Sequence, residues 1–197
     1  TVIINSSSTI TISNVPSITL NSLTISGTGN ITLTPQTTGS RTIEITDSLL
    51  VYASTRLTFD RVYSGGMGGS WRYLSITMNS NATGRIDGRV TLNNTSNSFT
   101  NNGILYMGSN GYIDGNGSFT LAADATLYIA SVNGITATPS TSGNIRTSTR
   151  SYSAGAHYVY NGVAAQNMGN GFPNNLTGSL TINNPGNTVL IKIVLNA

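Results

Sequence analysis

Few side chains in this sequence could carry acid–base, nucleophilic or metal chemistry. His157 is the only histidine and cysteine is absent, whereas a Ser-His-Asp triad or a zinc site needs further partners or ligands. The carboxylates are spread along the chain, at Glu44, Asp47, Asp60, Asp87, Asp114 and Asp124. We therefore predict that the protein is not an enzyme, has no catalytic residues, and binds neither a cofactor nor a metal ion.

Two Asp-Gly pairs are the sequence features that most favour an enzyme. Asp87-Gly88-Arg89 and Asp114-Gly115 resemble pieces of the grooves of β-helix enzymes that act on polysaccharides, and glycoside hydrolysis needs paired carboxylates. Asp114, Asn116 and Ser118 also imitate the start of a calcium loop, but alanine stands at position 125, where the closing glutamate should be. Because Asp-Gly is common turn chemistry, we prefer turns, and a polysaccharide-active enzyme is the less favoured alternative.

Aromatic side chains flank a glycine-rich segment. Residues 64–70 read Ser-Gly-Gly-Met-Gly-Gly-Ser, with Tyr63 before and Trp71, Arg72 and Tyr73 after them. No Gly-Lys-Ser/Thr follows, so this is not a phosphate-binding Walker loop, and we predict a surface loop. Aromatic rings and an arginine beside such a loop could stack on a sugar, which makes a carbohydrate-binding surface module the alternative function. In the simpler interpretation, which we prefer, the segment is a hairpin or a corner between strands, with Trp71 packed inward.

The composition indicates the kind of scaffold that holds these groups. Thr, Ser, Asn and Gly make up 100 of the 197 residues, while charged residues make up 8%, against about 25% in an average soluble domain. The hydrophobic fraction of 38% is enough for a core, which argues against a disordered chain. Ala, Glu and Lys are scarce, whereas Thr, Ile, Leu, Val and Tyr favour strands. We therefore predict an all-β protein.

Charge and hydropathy also restrict the partners and the location. The nine Arg and Lys residues form no run, whereas a nucleic-acid binder gathers its cations on one face, so we predict no nucleic-acid partner. No apolar run approaches the about 20 residues of a membrane span, so we predict none. A Thr- and Asn-rich, charge-poor chain is typical of a secreted protein, and we predict an extracellular or cell-surface location.

Short apolar-polar-apolar triplets recur along the whole chain. Examples are Ile10-Thr11-Ile12, Leu23-Thr24-Ile25, Val90-Thr91-Leu92 and Phe119-Thr120-Leu121. Such alternation, bounded by Asn, Gly and Ser, indicates strands that turn two apolar residues inward and a threonine outward. We predict one elongated β-rich module over residues 1–197, with a parallel β-solenoid favoured and an antiparallel β-sandwich as the alternative. The triplets are unevenly spaced, so no regular threonine array is expected.

Both ends of the chain are apolar strands without a polar cap. A terminal strand with unpaired backbone invites pairing with another chain. We therefore predict self-association, as a homopolymer or as tandem modules, through a junction at residues 1–5 and 188–195. The junction residues are Val2, Ile3, Ile4, Val189, Leu190, Ile191, Ile193, Val194 and Leu195.

A series of motifs follows in the C-terminal half. Tyr158-Val159-Tyr160-Asn161-Gly162 is followed by Gln166, by Gly169-Asn170-Gly171-Phe172-Pro173 and by Leu180-Thr181-Ile182-Asn183-Asn184. Over residues 103–188 this order resembles the repeat unit of the large secreted β-strand-repeat surface proteins of Bacteroidota and related bacteria. The resemblance implies an adhesin or a fibrous surface component without catalytic residues. The chain departs from that pattern at residues 192–195, which are apolar apart from a lysine.

Overall fold

The computed structural model describes residues 1–66 and 69–190, and these form strands joined by turns and loops, with no helix in the described part. The strands are β1 (Val2–Ser6), β2 (Ile10–Val15), β3 (Ile18–Gly27), β4 (Asn30–Pro35), β5 (Arg41–Val51), β6 (Arg56–Phe59), β7 (Arg61–Ser64), β8 (Ser70–Met78), β9 (Thr83–Ile86), β10 (Arg89–Leu92), β11 (Ser98–Asn101), β12 (Ile104–Met107), β13 (Tyr112–Leu121), β14 (Thr126–Ile129), β15 (Ile145–Tyr152), β16 (His157–Tyr160), β17 (Gln166–Asn167), β18 (Ser179–Ile182) and β19 (Val189–Leu190). The prediction of an all-β protein is confirmed. Within the described ranges, no helix is long and apolar enough to cross a membrane.

Parallel pairing arranges most of these strands in three ladders. Ladder 1 contains β1, residues 23–27 of β3, residues 48–51 of β5, β9, β12, β14, β16 and β18. Ladder 2 contains β2, β4, β6, β10, residues 112–115 of β13 and residues 145–147 of β15. Ladder 3 contains residues 18–20 of β3, 43–45 of β5, 74–78 of β8, β11, 118–121 of β13 and 149–152 of β15. We call a stretch of chain that visits ladders 1, 2 and 3 in turn a coil. This large parallel sheet is consistent with a β-solenoid.

The core lies between the three ladders and is built from the apolar residues of the triplets. Equivalent positions in successive coils carry similar side chains, as where Phe99 pairs with Phe119 and Leu105 with Leu127. All four are fully buried, and burying a side chain of this size stabilises the fold by about 1.5–3 kcal/mol. Because similar apolar side chains stack in register, each coil buries the apolar side chains of its neighbour.

The coils differ in length, yet the ladders keep their register. A short coil separates the paired residues Ile86 and Met107, whereas the coil between Val51 and Ile86 is longer because it contains β7 and the start of β8. The extra residues leave the ladders at the corners. As a result Thr77, Thr100 and Thr120 stand in one outward row of ladder 3, so in this part of the ladder the expectation of no regular threonine row is wrong.

Asparagine and glycine occupy the corners, as the sequence predicts, and link the coils. The buried amides of Asn97 and Asn144 donate from Nδ2 to carbonyl oxygens of other coils, over 2.7 Å to Leu74 O and 2.7 Å to Gly111 O. Gly111 shows why a larger residue is excluded, because a Cβ there would lie 2.0 Å from Ile86 O. Neighbouring backbones approach at these corners more closely than any side chain would permit.

Candidate binding surface

A hairpin projects from the longest coil and brings most of the predicted sugar-stacking residues together. It is formed by β7 and the start of β8, and it is the one antiparallel strand pair within residues 1–66 and 69–190. Its turn requires glycine, since Gly65 has a φ of +105° and a Cβ on Gly69 would lie 2.3 Å from Ser64 O. The predicted loop at 64–70 is therefore the tip of a hairpin, of which residues 67 and 68 lie outside the described residues.

Cross-strand register divides the predicted residues between the two faces of the hairpin. Tyr63 lies opposite Trp71, and Arg61 lies opposite Tyr73, so these four side chains share one face. We call them the aromatic face. Arg72 alternates with them and lies on the other face, where its Nε donates to Thr37 O over 3.4 Å. The predicted site included Arg72 and did not include Arg61, although Arg61 lies two residues before Tyr63 and the period of two in a strand places both on one face.

The aromatic face forms a compact and accessible cluster. The rings of Tyr63 and Trp71 meet edge to face, with centroids 5.1 Å apart and planes inclined by 65°. The Arg61 guanidinium carbon lies 3.8 Å from the Trp71 ring centroid, which is cation–π geometry. Tyr63 is 44% exposed and Trp71 is 43% exposed. The inward packing of Trp71 that the simpler interpretation expected is therefore wrong.

The charges around the hairpin are mostly basic. The ion pairs of the described residues are Arg85–Asp87 and Arg89–Asp114, so no carboxylate of this part of the chain pairs with Arg61. The nearest acidic neighbour in sequence is Asp60, whose Oδ1 accepts from the Arg61 backbone N–H at 2.8 Å and from Asn94 Nδ2 at 2.7 Å. Arg61 is exposed, and its guanidinium is available to an anionic ligand.

The acidic residues that could have suggested an enzyme are held by basic and hydroxyl groups. Asp87 pairs with Arg85 at 2.6 Å. Asp114 pairs with Arg89 at 2.6 Å and accepts a hydrogen bond of 2.8 Å from the Thr91 hydroxyl, which is buried although it lies on the outward side of β10. These contacts give both aspartates structural partners on the outer faces of the ladders.

The remaining candidate for catalytic or metal chemistry is His157. Its Nδ1 lies 2.8 Å from the Ser179 hydroxyl of the next coil. Within residues 1–66 and 69–190, no three His, Cys, Asp or Glu side chains come close enough together to hold a metal ion. His157 thus joins two strands of ladder 1 through a side-chain contact.

The C-terminal motifs form a buried network. Tyr158 and Tyr160 are fully buried, and their hydroxyls donate to Ser153 O over 2.7 Å and to Met168 O over 2.5 Å. Burial raises the pKa of both phenols well above the ordinary value. Phe172 packs edge to face on Tyr158, with ring centroids 5.0 Å apart. These residues stabilise the loop between β16 and β18.

Gln166 is the centre of that network. Its Nε2 donates to Ile129 O over 2.8 Å and to Ser131 O over 2.9 Å. Its Oε1 accepts from the Gly162 backbone N–H and from Asn184 Nδ2, both over 2.8 Å. The buried amide therefore satisfies groups from separate parts of the chain, and the motifs that carry the family resemblance act here as structural elements.

The predicted junction residues are partly described. Val2 and Ile4 face the core side of the first coil, in register with Leu23 and Ile25, while Ile3 points outward and is exposed. Val189 and Leu190 form β19, which pairs with β17. Ile191, Ile193, Val194 and Leu195 lie outside the described residues.

The first coil leaves apolar side chains open on its free side. Ile12 is in register with Leu33, and Ile18 with Ile43. Their partners are buried, but Ile12 is 36% exposed and Ile18 is 39% exposed. Within the described part of the chain, β1 and β2 each pair with a strand on one side.

In comparisons with protein-family models, curated proteins and solved structures, no match to this chain was found.

Proposed function

We propose that the protein is a non-catalytic, extracellular structural or adhesive module with a β-solenoid fold, which acts through self-association or in a tandem array. The open side of the first coil carries this proposal. There Ile12 and Ile18 occupy core positions of ladders 2 and 3, but no further coil of the described chain covers them. A coil of the same pattern, from a second copy or an adjoining module, fits that surface.

The association is expected for the same physical reason that holds the core together, the burial of apolar side chains. Each inner coil buries its apolar residues against two neighbours, whereas the first coil does so against one. A stacked coil would remove the exposed parts of these side chains from water and would pair the free strand edges. Because the chain is charge-poor, such an association would depend little on salt concentration.

The location and the adhesive role are supported by composition and by the resemblance over residues 103–188. Uncharged threonine and asparagine hydrate the outer faces without forming charge pairs. The resemblance to secreted β-strand-repeat surface proteins adds the expectation of a cell-surface adhesin or fibre. Both belong to the proposal.

The test compares two lysine variants by sedimentation over a wide concentration range and by electron microscopy. The first is the double variant Ile12→Lys and Ile18→Lys, which places charge on the open side of the first coil. The matched control is Val163→Lys, at an aliphatic residue that is 84% exposed elsewhere. We expect the natural chain and the control to form end-to-end oligomers, and the double variant to stay monomeric with an unchanged circular dichroism spectrum. A natural chain that is monomeric at every concentration would contradict self-association and leave only the tandem array. A double variant that still assembles would contradict the role of the open side of the first coil.

A further inference from the structure

We infer that the aromatic face of the hairpin is a binding site for acidic polysaccharides, with a hexuronate as the recognised unit. This goes beyond the proposed function and does not depend on self-association. The four side chains that carry it are Arg61, Tyr63, Trp71 and Tyr73, which share one face through the antiparallel register.

The first argument is the exposure of large rings on a projecting element. Elsewhere in the chain Tyr158, Tyr160 and Phe119 are fully buried, while Tyr52 is exposed. Tyr63 and Trp71 instead sit together on a hairpin outside the ladders, and nearly half of each side chain is exposed. Exposed aromatic surface of this kind suits a ligand with an apolar C–H face and a polar rim, and a pyranose ring has both.

The second argument is charge. The Arg61 guanidinium is held over Trp71 at 3.8 Å, and no carboxylate of the described residues forms an ion pair with it. Arginine binds carboxylates through two parallel N–H groups. A hexuronate would place its carboxylate on Arg61 and its ring against the exposed parts of Tyr63 and Trp71, whereas a neutral sugar would leave the cation without a partner.

The third argument is the setting of the hairpin. On its opposite face Arg72 contacts the loop before β5. Arg41, the first residue of β5, donates from Nη2 to the Thr38 hydroxyl of that loop over 2.6 Å. These two arginines also lack an ion pair within the described part of the chain. Three cations around one projection favour a polymeric anion over a single neutral sugar.

The experiment measures binding by isothermal titration calorimetry with a galacturonate hexamer and, for comparison, with the neutral maltohexaose. We expect the natural chain to bind the hexuronate and to bind the neutral oligosaccharide at least about tenfold more weakly. Trp71→Ala and Arg61→Gln should each weaken hexuronate binding by about tenfold, and Arg61→Gln should also reduce its salt dependence.

Matched controls separate this site from general effects of charge and exposed aromatic surface. Arg85→Gln removes the same charge from ladder 1, and Tyr52→Ala removes an exposed ring away from the hairpin; both should bind like the natural chain. Trp71→Tyr keeps a ring and should retain most of the binding, which shows that the hairpin still folds. Equal binding of the neutral hexamer, no binding at all, or unchanged binding by Trp71→Ala would overturn the inference. A polyglutamate peptide that binds as well as the hexuronate would overturn the assignment to sugars.

Discussion

The hairpin and the segment from β16 to β18 both concentrate aromatic residues, but they use them in opposite ways. Tyr158 and Tyr160 are buried, and each hydroxyl donates to a backbone carbonyl. Tyr63 and Trp71 are nearly half exposed, and the Tyr63 hydroxyl donates to the hairpin's own Gly66 O over 3.1 Å. A conspicuous sequence motif can thus be required by folding, while exposed aromatic rings lie on an element outside the ladders.

Among the changes proposed for these two regions, a substitution of Gln166 should lower stability the most. Gln166→Leu keeps the side chain buried but removes four hydrogen bonds of the C-terminal network. Ile129 O, Ser131 O and Asn184 Nδ2 each keep another partner, whereas the Gly162 N–H loses the acceptor it has. Since a hydrogen bond contributes about 0.5–1.5 kcal/mol net and an orphaned buried donor costs about 1–3 kcal/mol, we expect the free energy of unfolding in urea to fall by about 3 kcal/mol. Gln36→Leu, at a half-buried position near the N-terminus, is the control and should change stability far less. Similar losses for the two variants would show that the network is not what stabilises this region.

Alkaline pH should weaken the C-terminal segment through its phenols. Burial raises the pKa of Tyr152, Tyr158 and Tyr160 in the folded state, while the unfolded value is about 10. The neutral phenols therefore contribute fully below pH about 10, and their contribution is lost as the pH rises above that value. We expect the unfolding free energy to decline above pH about 10 and the double variant Tyr158→Phe and Tyr160→Phe to flatten the decline. An equally steep decline in that variant would assign the alkaline loss to other groups.

The tyrosines of the two regions should differ in how much their hydroxyls contribute to stability. Tyr160→Phe removes the hydroxyl that donates to Met168 O, and losing such a buried hydrogen bond should cost about 1–2 kcal/mol. Tyr63→Phe removes a hydroxyl at the surface and should change stability by less than about 0.5 kcal/mol. Chemical denaturation of both variants measures the difference, and equal losses would mean that the hairpin is as tightly coupled to the core as the C-terminal segment.

Local pattern was enough to predict the β class and the chemistry of the corners. The Leu23, Ile25 and Phe119 positions follow from alternation alone, because period two assigns a face without knowledge of the partner strand. The residue types of Asn97 and Gly111 were enough to predict corners, but the carbonyl that Asn97 binds and the backbone that crowds Gly111 belong to a neighbouring coil.

The features that were not predicted from the sequence depend on pairing between residues that are far apart along the chain. Thr77 and Thr120 share a row because inserted residues leave the ladders at corners, and uneven spacing along the chain hides this. Arg61 belongs with Trp71 because β7 folds back on β8, which places residues ten positions apart in contact. The simpler interpretation predicts Trp71 inside, but the register of the hairpin places it on the exposed face.

The constancy of the ladders across coils of unequal length has a consequence for the reach of the molecule. Height along the stack depends on the number of coils and not on the number of residues in them. With neighbouring strands about 4.8 Å apart, the eight strands of ladder 1 set a height of about 34 Å. The backbone hydrogen bonds of the ladders therefore fix the spacing between coils, and loops such as the hairpin can become longer at the side of the stack without changing its height.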